Sequence, residues 1–182
     1  MIANLVKKTS ETIVTLAEAK GHLRILHTNE DFYIDSLLTV ITTAIENNLD
    51  KDLVDTSYQL GIFSKIQEGE EIYFPNAPIY NVTSVEIKDS DEVIPAESYS
   101  YTFTDEYIKF TALPVSYTKI NIIYKKGFES SEDVPTPIKQ AALLMLSDLY
   151  LYRGSILVGK SVMVLEKSIE ALLRPYKNVK FM

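Results

Sequence analysis

The period of the hydrophobic pattern changes twice along the 182-residue chain, and this constrains the fold more than any other feature. Apolar residues recur every three to four positions before about residue 53, as on one face of a helix. From about residue 55 to 133 they alternate or form short runs, as in strands, and from residue 136 the helical spacing returns. The sequence therefore predicts helices in both terminal parts of the chain and strands between them.

Local signals mark where the helices begin and end. Thr15 and Glu18 have the spacing of a capping box. A second helix start is predicted at residues 28–31, where Asp31 is one of the acidic residues of the first turn. Thr136 and the proline after it predict a third helix, which we expect to stop near Gly154. A last short helix is predicted over residues 164–173.

The middle of the chain reads as an antiparallel sheet or small barrel. Its strand-like segments are rich in aromatic and β-branched residues. They cover residues 58–63, 71–74, 82–87, 99–103, 107–110 and 120–124. Asp105 and Glu106, between two closely spaced segments, predict a hairpin.

The predicted class is α+β, a helical bundle formed by the N- and C-terminal helices with an antiparallel β-rich insertion between them. In domain terms, residues 1–54 and 135–182 form a discontinuous helical core and residues 55–134 form the insert.

The net charge of −7 is unevenly distributed. Residues 54–133 carry 6 basic and 14 acidic groups, whereas residues 134–182 carry 7 basic and 3 acidic groups. An acidic middle is a poor nucleic-acid binder, because phosphate neutralisation requires clustered Lys and Arg. The chain has no cysteine, which excludes disulfides and thiolate chemistry. No apolar run approaches the roughly 20 residues of a membrane span, so we expect no membrane partner.

One motif predicts a nucleotide site and has to be weighed. Residues 154–161, from Gly154 through Gly159 and Lys160 to Ser161, match the phosphate-binding loop pattern G-x-x-x-x-G-K-[ST]. Such a loop follows a buried strand, whereas here a helix is predicted before it. Ile156, Leu157 and Val158 also place bulky side chains where the backbone would have to approach a phosphate. A connector between two helices is the preferred interpretation.

Other groups of polar residues do not assemble into a predicted site. His22 and His27 are five residues apart, and a zinc site needs more ligands than these two. Glu68, Glu70 and Glu71 could supply a glycosidase carboxylate pair, but the sequence does not show that two of them face each other across a cleft, so a solvated strand edge is the preferred interpretation. We therefore expect no catalytic residue, no cofactor and no metal.

A resemblance to a known family begins in residues 14–25, 31–38 and 44–47, which look like the opening helices of phage head–tail connector (head-completion adaptor) proteins. It continues in the proline-led strand of residues 78–85, in the strand–glycine–proline–helix segment of residues 120–153, and in residues 172–177. Residues 48–52 depart from the family, which often has an aromatic–Thr–Gly–Arg turn there.

The resemblance implies a structural virion protein. It would form a homo-oligomeric ring, commonly of twelve copies, that docks to the portal vertex and receives the tail-side connector or tail proteins. DNA would pass through the channel without specific binding. The chain would reside at the head–tail junction after assembly in the host cytoplasm.

Two segments are the candidate interfaces. The hypothesis for contacts between subunits is Ile156, Leu157 and Val158. The hypothesis for anchorage to a neighbouring ring, the portal, is the basic and aromatic tail, which contains Arg174, Tyr176, Lys177, Lys180 and Phe181.

Two other functions stay open at this point. The chain could be another tail-completion protein, or a binding module whose tyrosine-rich sheet receives a carbohydrate or peptide. A nucleotide binder with a phosphate-binding loop is the third and least supported interpretation.

Overall fold

The structure is a computed structural model that describes residues 1–75, 77–90, 92–152 and 161–177, with the backbone alone for residues 161–165. The described helices are α1 (Leu16–Leu23), α2 (Asp31–Leu49), α3 (Thr136–Leu151) and α4 (Ser161–Leu173). The strands are β1 (Ile2–Lys8), β2 (Thr56–Ile62), β3 (Glu71–Tyr73), β4 (Asn81–Asp89), β5 (Glu92–Val93), β6 (Ser100–Phe103), β7 (Tyr107–Ala112) and β8 (Lys119–Lys126). The fold class is α+β, as predicted.

The chain forms two compact units. The sheet unit consists of residues 1–9 and 55–127, and the helical unit consists of residues 10–54 and 128–182. Each unit is therefore built from two separate stretches of sequence.

The sheet unit contains two antiparallel sheets. The five-stranded sheet has the order β1-β2-β8-β4-β5, and the three-stranded sheet has the order β3-β7-β6. Buried side chains from both sheets form one hydrophobic core. Along each strand, inward-facing residues alternate with outward-facing ones. The fully buried members of this core include Leu60, Ile87, Ile108, Phe110, Ile120 and Ile122.

All six predicted strands are present, and the predicted hairpin is confirmed as the antiparallel pair β6–β7. The prediction that helices form the N-terminal part of the chain is wrong at its start, where β1 comes first. This strand pairs with β2 from Ile2 opposite Gly61 to Lys8 opposite Thr56. Because nearly the whole strand is exposed, its sequence lacks the alternation that marks a half-buried strand.

The helical unit begins with the predicted capping box. The Thr15 hydroxyl accepts a hydrogen bond from the Glu18 N–H at 3.2 Å, and the Glu18 carboxylate accepts one from the Thr15 N–H at 2.8 Å. The apolar stripe of α2 is buried as its spacing predicts. Buried residues of the helices and their flanking segments form one core, including Val14, Ala19, Ile34, Leu38, Ile41, Ile45, Ile138, Ala141, Ala142 and Leu146.

Candidate interaction surfaces

The described part of the predicted tail interface follows α4. Leu173 is buried in the helical core, and a single 3₁₀ turn, Arg174–Tyr176, comes next. Arg174, the first residue of this turn, and Lys177, which follows the turn, are both exposed, whereas the Tyr176 ring packs against the helical core. Arg174 and Lys177 thus face solvent at a turn that the Tyr176 ring holds against the helical core.

The remaining predicted interface residues lie outside the described residues. These are Ile156, Leu157, Val158, Lys180 and Phe181. The helix that leads into residues 153–160 is described, and its last turn is apolar and exposed at Leu149, Leu151 and Tyr152. The last buried residue of this helix is Leu146.

A second exposed apolar surface of the helical unit was not predicted. Phe32 and Val40, on α2, are 88% and 58% exposed, and Leu26 is nearly fully exposed in the segment before this helix. Phe32 and Val40 are eight residues apart and therefore lie on one helix face, opposite the buried stripe. Isolated exposed apolar residues are common, so the residue identities alone gave no signal.

In the sheet unit, β1 is the most exposed apolar segment. Met1, Ile2, Leu5 and Val6 are all more than half exposed, and Ala3 is the residue of this strand that packs against the core. Within the described residues β1 has β2 as its strand neighbour and lies at one edge of the sheet. An exposed apolar edge strand is a site for contact with another chain.

Asp55, Tyr80 and Lys125 form a polar cluster in the sheet unit. The Asp55 carboxylate accepts hydrogen bonds from the Tyr80 hydroxyl at 2.6 Å and from the Lys125 ammonium at 2.9 Å. Burial raises the pKa of Asp55, but these two donors outweigh it and leave the pKa below its usual value. Burial and the bond to Asp55 raise the pKa of Tyr80 to about 12. The cluster holds three chain segments together and leaves no group poised for proton transfer near neutral pH.

The glutamates that could have formed a catalytic pair are used locally. Glu68 accepts a hydrogen bond from the Leu113 N–H at 3.0 Å, and Glu70 accepts one from the Gln67 N–H at 2.8 Å. Glu71 accepts a bond from the Tyr73 hydroxyl at 3.0 Å. Glu70 and Glu71 thus bond within their own turn or strand, and Glu68 ties its turn to a distant backbone N–H.

The histidines likewise make contacts that explain them without a metal. His22 Nε2 lies 2.9 Å from the Ser147 hydroxyl, and His27 Nε2 lies 3.8 Å from a Glu30 oxygen. Among the described residues, no group of three or more His, Asp or Glu side chains is placed to hold a metal ion. None of the helices in that part of the chain is long and apolar enough to cross a membrane.

The phosphate-loop pattern has the wrong element before it. Its residues 153–160 lie outside the described part of the chain, but α3 ends at Leu151 and α4 begins at Ser161. A phosphate-binding loop of this kind follows a strand of a parallel sheet, whereas both sheets described here are antiparallel.

The tyrosine-rich surface is small. Tyr73 and Tyr107 face solvent on β3 and β7 with ring centroids 5.7 Å apart, and Tyr73 is more than half exposed. Tyr117 and Tyr124 are buried, and the Tyr117 hydroxyl bonds to the backbone of Ile66. Tyr58, Tyr99 and Tyr101 also pack against this core, so five of the eight tyrosines of the sheet unit contribute to packing and are not free to form a receptor surface.

Comparison with solved structures shows a similar fold in chains of gene transfer agent (GTA) particles. A chain in the "Neck of empty GTA particle computed with C6 symmetry" has a TM-score of 0.67 and 22% identity, over 100% of this chain and 98% of that one. A chain in the "Virion of native gene transfer agent (GTA) particle" has a TM-score of 0.66 and 22% identity, with the same coverage. A chain in the "Neck of native GTA particle computed with C12 symmetry" has a TM-score of 0.66 and 20% identity, again with the same coverage. No curated protein matches the chain.

The family comparison covers the first two helices and most of the strands. The model of the family described as "Phage gp6-like head-tail connector protein" matches residues 13–121, which is more than half of the chain. That is a family of structural connectors and not of enzymes. The chain belongs to the phage gp6-like head–tail connector protein family.

Proposed function

We propose that this protein is a ring-forming subunit of the virion neck, which docks to the portal vertex, joins the capsid to the tail and forms part of the DNA channel. The observation that carries the proposal is the family match over residues 13–121 together with a shared fold over the whole chain. The structures with that fold are of particle necks, solved with sixfold and twelvefold symmetry. Twelve copies is the ring size we propose.

In this proposal the two parts of the chain have different roles. Residues 1–54 and 135–182 supply a bundle of helices as the connector core, and residues 55–134 form a β-rich insert on the ring. The division into a helical unit and a sheet unit supports the assignment, with the difference that residues 1–9 cluster with the strands. The net charge of −7 suits a channel wall that repels DNA and lets it pass.

Negative-stain imaging of the purified protein tests ring formation directly. We expect annular particles with a central channel. A preparation that stays monomeric at every concentration and with added portal would contradict the proposal.

The tail is the proposed anchor to the portal. Arg174 and Lys177 are exposed, and Lys180 and Phe181 continue the same basic and aromatic segment. Ile156, Leu157 and Val158, which follow the exposed apolar end of α3, are the proposed contact between neighbouring subunits.

Deleting residues 175–182 tests the anchor. We expect the truncated protein to fold, to form rings and to lose co-sedimentation with the portal, because the deletion removes Lys177, Lys180 and Phe181 and leaves only Arg174 of the basic tail. The matched control exchanges Lys65 and Lys109, on the sheet unit, for Gln, which lowers the positive charge without touching the tail. Unchanged portal binding after the deletion would show that the anchor lies elsewhere.

A further inference from the structure

The two edges of the five-stranded sheet differ in charge and in apolar exposure. We infer that neighbouring copies of this chain join through these edges, β1 of one copy against the β4–β5 edge of the next. The inference rests on the proposed ring, because a ring of identical chains needs two different, complementary surfaces on each copy. A repeated contact of this head-to-tail kind closes after a fixed number of copies.

The β1 edge has the composition of a covered surface. Ile2, Leu5 and Val6 are 56%, 58% and 53% exposed, and they are consecutive or nearly so on a strand of seven residues. Proteins protect such edges with charges, with bulges or with a partner. A bulge does occur between Leu5 and Lys7, but it leaves three large apolar side chains in water. A second chain seated on β1 would remove them from solvent.

A small pocket beside β1 provides a second, independent observation. Gly61 lies between Ile2 and Asn121 across the strands β1, β2 and β8, and the missing side chain leaves a pocket of about 100 Å³. A Cβ on this glycine would lie 3.2 Å from the Phe63 ring. Phe63 is itself more than half exposed and carries the Lys119 ammonium 5.1 Å from its ring centre. The pocket can take the end of one side chain from a docked copy.

Asn121 is one of the residues that line this pocket. Asn121 is 7% exposed, and its Oδ1 is a buried side-chain oxygen without a hydrogen-bond partner among the described residues. Leaving such an atom unpaired costs about 1–3 kcal/mol. An N–H or O–H group from a neighbouring copy that entered the pocket would pair with it.

Charge is separated across the sheet in a way that favours joining unlike edges. The edge strand β1 contains Lys7 and Lys8 and no acidic residue. The strands β4 and β5 at the other side of the sheet contain Glu86, Asp89 and Glu92 with a single lysine, Lys88. Placing two β1 edges together would bring two basic strands together, whereas β1 against β4–β5 joins a basic strand to an acidic pair of strands.

Strand direction permits the same contact. Every neighbouring pair in the order β1-β2-β8-β4 is antiparallel, so β1 and β4 run in opposite directions. Two copies placed side by side in one orientation would therefore bring β1 next to β4 as an antiparallel pair. The β4 edge is open for this from Asn81 to Ser84, since β5 pairs only with Lys88 and Asp89.

Cross-linking between single-cysteine variants tests the inference, and the chain has no cysteine of its own. Leu5→Cys and Ser84→Cys proteins are mixed, allowed to assemble and treated with a short bis-maleimide. We expect a Leu5–Ser84 product between different variants and little product within either variant alone. A product of Leu5→Cys with itself would overturn the head-to-tail arrangement.

A substitution separates this inference from the ring itself. Leu5→Asp should raise the concentration needed for half assembly about tenfold or more without lowering the thermal midpoint. Val115→Asp is the control, because Val115 is fully exposed in the loop between β7 and β8 and should not change assembly. Rings that form normally in Leu5→Asp and do not cross-link would overturn the edge contact and leave the proposed function intact. A parent protein that never assembles would overturn both.

Discussion

At the scale of single residues, carboxylates hold the chain where it changes direction. Asp55 ties the residue before β2 to Tyr80 and Lys125, and Glu46 accepts a hydrogen bond from the Leu53 N–H at 2.9 Å. Glu46 is buried, so this bond forms away from water. These acidic residues of the connector thus stabilise turns and joints.

The Asp55 cluster predicts a pH dependence of stability. Because the folded pKa of Asp55 lies below its ordinary value of 3.8, its contribution is present above that value and is lost as the pH falls through the folded pKa. We expect the free energy of unfolding of the Asp55→Asn variant to fall less between about pH 5 and pH 3 than that of the parent protein. Urea titrations across this range measure the difference, and equal slopes would contradict the assignment.

Glu46 gives a prediction at neutral pH. Glu46→Ala leaves the buried Leu53 N–H without its acceptor, so we expect a loss of about 1–3 kcal/mol in the free energy of unfolding. Glu46→Gln keeps a carbonyl acceptor at the same place and should lose less. If chemical denaturation gave the two variants the same stability as the parent, the bond would have no energetic role.

At the scale of elements, local signals were sufficient where neighbours in sequence make the structure. The capping box at Thr15 and the hairpin around Asp105 were predictable because every partner lies within a few residues. β1 was not, since its partner β2 follows more than 50 residues later and both of its faces are exposed. β5 has two residues and carries no periodicity at all.

The capping box of α1 predicts a measurable stability loss. Thr15→Ala removes the side-chain acceptor of the Glu18 N–H, and we expect a cost of about 1 kcal/mol. Thr39→Ala is the matched control, because Thr39 is exposed within α2 and bonds to the Asp35 carbonyl of the preceding turn. Its change should stay within about 0.5 kcal/mol. A Thr15 variant no less stable than the Thr39 variant would rule out the cap.

At the scale of the whole molecule, the interface was only partly predictable. The basic tail was visible as a run of residues, and Arg174 and Lys177 are indeed exposed. The charge separation of the five-stranded sheet was hidden, because β1, β2 and β8 are distant in sequence and become neighbours only through the strand order. The pocket at Gly61 likewise depends on pairing between three strands.

The mass of the assembled protein in native mass spectrometry tests the central claim most directly. The chain has a mass of 20.6 kDa, and a connector ring must have a single mass that is an integer multiple of it. We predict a closed species of twelve copies, with no continuous series of larger oligomers. A dominant species at 20.6 kDa under every condition, including with the portal present, would contradict the account.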